Sequence, residues 1–187
     1  MKVLVLGLGN ILLQDEGIGV RVIEQLRAHY AFPDNVIVLD GGTLGLDLLA
    51  YIEEASHLVI VDAVNAGKEP GTLVRLVNDE IPAFLGPKVS PHQVGLQDML
   101  ALAQLRGHSP AEVVLWGVQA ERLAPGLELS PAVAAQVESL GARVIEELTR
   151  WQSAPCPVGG VAYASDHAPL GAMKNGRRNF RRSCSWA

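Results

Sequence analysis

The chain has 187 residues, 49% of them hydrophobic and 5% aromatic, with a net charge of −5. That length suits one domain, with a core made mostly of Leu, Val, Ile and Ala. The negative balance argues against a nucleic-acid surface. No apolar run approaches the roughly 18 residues of a membrane span. Up to residue 151 there are 10 Lys and Arg against 19 Asp and Glu; beyond it there are 5 against 1. The basic end is compositionally a different object. It holds both cysteines, Cys156 and Cys184, so a disulfide framework is not expected and a reduced, cytoplasmic setting is the simpler reading.

In chain order, Val3 to Leu6 is an apolar, β-branched run that reads as a strand. A signal peptide is the competing reading, but Gly7, Gly9 and Asn10 break the run and acids come after it. Ile18, Val22, Ile23 and Leu26 recur at helical spacing, which predicts a helix from about Glu16 to Tyr30. Val36 to Leu39 is a buried strand ending in Asp40-Gly41-Gly42, with Thr43 a candidate cap for a short helix over Leu46 to Ile52. Leu58 to Val61 is a strand ending at Asp62. Thr72 to Val77 comes too soon for a crossover, so it is predicted antiparallel. Residues 81–91 hold three prolines and read as irregular. Leu96 to Leu105 is a helix and Val113 to Val118 a strand. Ser130-Pro131 then caps and starts a helix running to about Trp151. From Gln152 no period is visible, so 1–151 is read as the domain and 152–187 as a disordered basic tail. The alternation indicates an α/β three-layer sandwich: a twisted, mostly parallel sheet of about five strands, one antiparallel, between helices.

Glu16, Asp62 and His92 fall at the ends of core elements, where a sheet of this kind forms its ligand crevice. Two carboxylates and an imidazole are a hard-to-borderline metal donor set with coordination positions left open. Plainer roles compete: Glu16 favouring a helix dipole, Asp62 capping a turn, His92 a surface loop residue. Gly7, Gly9 and Asp40 mimic a dinucleotide fingerprint. However, Leu12 stands where its third glycine belongs, and Asp40 lies too far along the chain.

GLGNILLQDEGIG at the start, DGGTLG at 40–45, VDAV at 61–64, SPHQVG at 90–95 and WGVQA at 116–120 together resemble the hydrogenase maturation endopeptidases. The resemblance covers about residues 1–150, with Ala120 standing where relatives often have proline. It implies an endopeptidase, aspartic-type or metal-dependent, that trims a C-terminal extension from the large-subunit precursor of a nickel–iron hydrogenase. Its partner would be that precursor, with no nucleic acid and no membrane. It also implies that Glu16, Asp62 and His92 are the catalytic, metal-contacting residues. The metal would be nickel brought by the substrate, or another divalent ion in the isolated enzyme. Asp40, Gly41 and Gly42 are candidates for positioning substrate. A non-catalytic nickel-binding maturation chaperone and a Rossmann-like oxidoreductase remain as alternatives.

Overall fold

The computed structural model describes residues 1–42, 45–85 and 91–158; the side chains of residues 45–46, 83–85 and 91–95 lie outside the description. Strand β1 (Val3–Leu8) leads through a 3-10 turn (Gln14–Gly17) into helix α1 (Ile18–His29). Next come β2 (Tyr30–Ala31), β3 (Val36–Gly42), a second 3-10 turn (Gly45–Leu48), α2 (Leu49–Glu54) and β4 (His57–Val64). The second half holds β5 (Leu73–Val77), α3 (Glu80–Leu85), α4 (Pro91–Leu105), β6 (Glu112–Gln119), α5 (Pro131–Ala134), α6 (Val137–Arg150) and β7 (Cys156–Pro157).

Five strands form one sheet in the order β3-β1-β4-β6-β5. The pairs β1–β3, β1–β4 and β4–β6 are parallel, and β5–β6 is antiparallel. This is the predicted three-layer sandwich. Parallel strands are buried on both faces and so read as unbroken apolar runs. Strand β1 divides by alternation: Val3 and Val5 pack with Ile18, Ile23, Leu26, Val144 and Leu148 from α1 and α6. Leu4, Leu6 and Leu8 pack with Ile52, Leu96 and Met99 from α2 and α4. Each fully buried Leu or Ile contributes about 2 kcal/mol through area removed from water.

The chain leaves β1 toward β3 and later crosses to β4 on the other side. The order therefore reverses between β1 and β4, and the crevice for a ligand lies beyond their carboxyl ends. Two close approaches shape that edge. Gly9 has φ +121°, and a Cβ there would lie 1.6 Å from the carbonyl oxygen of Glu16. A Cβ on Gly19 would lie 2.3 Å from the carbonyl oxygens of both Leu8 and Val61. The glycine-rich loop is thus filled by its own chain, with no cradle for a pyrophosphate at the start of α1.

Several elements differ from the sequence reading. The predicted first helix starts later, because Gln14–Gly17 forms a 3-10 turn, and it stops at His29 where Tyr30 enters β2. Part of the proline-rich stretch is helix α3; Pro82 is its third residue, where no intrahelical N–H is required. Helix α4 begins at Pro91, five residues before the expected start, as proline favours the first helical position. The expected cap Thr43 lies outside the described residues. Residues 152–158 continue to pack. Trp151 and Ser153 are buried, Asn35 Nδ2 donates to Ser153 Oγ at 2.9 Å, and β7 pairs antiparallel with β2. Cys156 is disulfide-bonded, unlike the reduced thiol expected. Residues 159–187 lie outside the described residues. Among the described residues, no helix is long and apolar enough to cross a membrane.

Candidate active site

The 3-10 turn Gln14–Gly17 holds two neighbouring carboxylates with different surroundings. Asp15 is fully buried, and both its oxygens are engaged by one distant segment. Its Oδ2 accepts from the backbone N–H of Glu121 at 2.9 Å and of Arg122 at 2.8 Å, and from the Ser130 hydroxyl at 2.9 Å. Its Oδ1 accepts from the Ser130 N–H at 2.6 Å. Backbone bonds run alongside: Gln14 N–H to Gly126 O at 3.0 Å, Gly126 N–H to Leu12 O at 2.9 Å and Asp15 N–H to Arg122 O at 3.3 Å. The 121–130 segment is therefore strapped to the turn.

Ser130 precedes α5 as expected, with its carbonyl accepting from Val133 and Ala134, but the single helix predicted to about Trp151 is two, since α5 ends at Ala134 and α6 begins at Val137. The Ser130 hydroxyl makes no cap bond and goes to Asp15 instead. A side-chain cap stabilises a helix by about 1 kcal/mol, and here that contribution is forgone. The sequence reading missed this link. An acid followed by a second acid in a loop was the one visible signal, and it did not say which of the two is structural.

Glu16 is buried in the same turn, 5% exposed. Asp62 is fully buried near the carboxyl end of β4, with its Oδ1 accepting from the Ala63 N–H at 2.8 Å. The turn carrying Glu16 lies against β4. The structure thus brings these two elements together at the reversal point. In β4, Leu58, Ile60 and Val64 face the α2–α4 layer, and the strand's alternation assigns Asp62 to the same face. His92 is the second residue of α4. The C-terminal end of α4 precedes the start of β6, so its first turn lies toward the carboxyl edge. The His92 side chain is outside the described residues. Among the described residues, no three His, Cys, Asp or Glu side chains group as a metal site.

Asp40 is exposed at the end of β3, on the other side of β1 from Asp62. Register pairs Gly7 with Asp40 and Leu8 with Gly42, so Gly41 is the extra residue of a bulge. The Gly42 carbonyl accepts from the Gly9 N–H at 3.1 Å, tying this end of β3 to the glycine loop. Gln119, in the WGVQA block, organises another loop of the same edge. Its Oε1 accepts from the N–H groups of Ala66 at 2.7 Å and Lys68 at 3.2 Å.

The family model for hydrogenase maturation proteases matches residues 20–147. The chain belongs to the hydrogenase maturation proteases. It is 49% identical over 152 residues to hydrogenase expression/formation protein HupD of Rhodobacter capsulatus, covering 80% of this chain and 72% of that one. It is 45% identical over 149 residues to hydrogenase 2 maturation protease of Escherichia coli K12, covering 79% and 91%. Among solved structures, the hydrogenase maturating endopeptidase HybD from E. coli superposes with a TM-score of 0.81 at 42% identity, covering 84% of this chain and 98% of that one. As a hydrogenase maturation protease the chain is a hydrolase, and membership removes the oxidoreductase alternative together with its dinucleotide reading.

Proposed function

We propose that this protease removes a C-terminal extension from the large-subunit precursor of a nickel–iron hydrogenase once nickel has been inserted. Glu16, Asp62 and His92 contact that nickel, which arrives as part of the substrate. The observation that carries the reading is a pair of buried carboxylates, Glu16 and Asp62, on two touching elements at the strand-order reversal. Carboxylate oxygens are hard donors that suit a divalent cation. Together with the His92 imidazole they supply two oxygens and one nitrogen, a donor set that suits a borderline divalent ion.

A bound metal supplies charge that polarises a carbonyl or acidifies water. The chain's own part is to seat the metal-bearing end of the precursor so that one peptide bond is presented at the sheet edge. In hydrolysis a water oxygen joins the carbonyl carbon, the C–N bond breaks and a proton passes to the leaving amine. Ile11, Leu12, Leu123 and Leu127 are exposed on the strapped loops and offer apolar surface to an extended peptide. Asp40, with Gly41 and Gly42, positions substrate from the β3 side. The chaperone reading predicts binding without a mass change; the family's protease membership favours cleavage.

The test is to incubate the protein with nickel-loaded and nickel-free precursor and track intact mass. Loss of the extension from the loaded form alone supports the proposal. Equal cleavage of both forms would remove nickel from recognition, and no cleavage of either would favour the chaperone.

A further inference from the structure

We infer that Asp15 is a positioning residue for processing: it locks the 121–130 segment to the turn that carries Glu16, so that Glu16 meets the substrate in one fixed place. The inference rests on Glu16 belonging to the reacting site, as proposed above.

The Asp15 oxygens are committed to residues 121–130 and are not offered to reacting atoms. Asp15 is fully buried, and its carboxylate takes three backbone amides and one hydroxyl from residues 121–130. Four donors arriving from a single segment leave the side chain one rotamer that satisfies them all. Asp15 and Glu16 share a peptide bond, so fixing the first fixes the backbone of the second. The Ser130 hydroxyl is an independent sign. A serine serving only to begin α5 would cap it, yet this hydroxyl is turned to Asp15. The Gly9 contact closes the other side: the Glu16 carbonyl occupies the space a Cβ on Gly9 would need. Glu16 is thus held from both flanks, by Asp15 through the strap and by the glycine loop beneath it.

Asp15→Asn keeps the shape but turns an NH2 group toward one of the amide donors. With the full chain, nickel-loaded precursor and folded fraction measured by circular dichroism, kcat of the folded variant is expected to fall about a hundredfold, as for an ångström-scale misplacement. KM should change less than kcat, because the apolar side chains of the strapped loops remain while the placement of Glu16 is lost. Ser130→Ala removes one of the four donors and leaves the amides. It should lower kcat about threefold, and Ser130→Thr, which keeps the hydroxyl, should restore it. Native kcat in folded Asp15→Asn and in Ser130→Ala would overturn the inference. If Asp15→Asn does not fold, the Ser130 pair decides alone. Glu16→Gln is run in parallel. Native processing by Glu16→Gln would mean that the site reading has failed. An inactive Glu16→Gln beside fully active Asp15 and Ser130 variants would mean that only the positioning role has failed.

Discussion

A Cβ on Gly19 would stand 2.3 Å from the carbonyl oxygen of Val61, so helix α1 lies directly on strand β4 at the candidate site. Glycine inside a helix costs about 1 kcal/mol relative to alanine, so Gly19→Ala would stabilise an isolated helix. Here the clash is with backbone, including the Leu8 carbonyl at the same distance, and no rotamer relieves it. Gly19→Ala is therefore expected to destabilise the protein by about 3 kcal/mol or more. Urea unfolding measures this; a higher midpoint in the variant would refute the close approach.

The three proposed metal-contacting residues should behave as one unit. Glu16→Gln, Asp62→Asn and His92→Ala are each expected to abolish processing while the far-ultraviolet dichroism stays native. Combining two of them should add little to the loss, since residues acting together are non-additive. Intact-mass kinetics read the outcome, and native rates in any single variant would exclude that residue from the site.

Glu147 anchors α6 to the sheet and is expected to make the protein acid-sensitive. It is buried and accepts from Arg75 Nε at 2.7 Å, Arg150 Nε at 3.0 Å and Trp116 Nε1 at 3.3 Å. Burial works to raise its pKa, but the hydrogen bonds and charges of Arg75 and Arg150 outweigh it and hold the carboxyl below the ordinary 4.5. A depressed carboxylate contributes stability that is fully present above its unfolded value and is lost as pH falls through the folded one. The native protein should therefore lose stability as pH drops below about 4.5, with Glu112, also lowered, adding to the slope. Glu147→Gln should cost about 2 kcal/mol at neutral pH, since the partly exposed arginines regain water. Its stability should vary less with acid. An unchanged slope in the variant would rule Glu147 out as its source.

Residues 152–158 pack against the domain, and truncation measures how much that packing contributes. Ending the chain after Trp151 removes Ser153 and β7, with the Val158 N–H bond to the His29 carbonyl at 2.8 Å. Ending it after Val158 keeps them. The shorter form is expected to melt at least about 4 °C below the longer one, corresponding to roughly 1–2 kcal/mol in a domain of this size. Equal melting temperatures would show that the β2–β7 pairing contributes nothing.

How much could be read in advance depended on the range of the interactions involved. The sheet and its helices were legible because burial is written locally. Val3–Leu6 and Leu58–Val61 are unbroken apolar runs since both faces of those strands are covered, and Ile18, Val22, Ile23 and Leu26 repeat at helical spacing. Asp62 and Glu16 stood out in the sequence as carboxylates next to apolar runs, but their burial could not be read there, since acids at the starts of helices and in turns are common. The division of labour between Asp15 and Glu16 was not legible. The donors that distinguish them stand at Glu121, Arg122 and Ser130, more than a hundred residues away, and ordinary loop sequence does not announce them. Ser130 misled for the same reason: its local preference was to cap α5, and a buried carboxylate outcompeted that preference. The packing of residues 152–158 was hidden because two short strands with no period of their own become ordered only against each other. Local chemistry thus determined which elements form and which acids sit at their ends. Only the tertiary structure decided that Asp15 ties residues 121–130 to its turn, because a buried carboxylate takes its role from the donors the fold delivers to it.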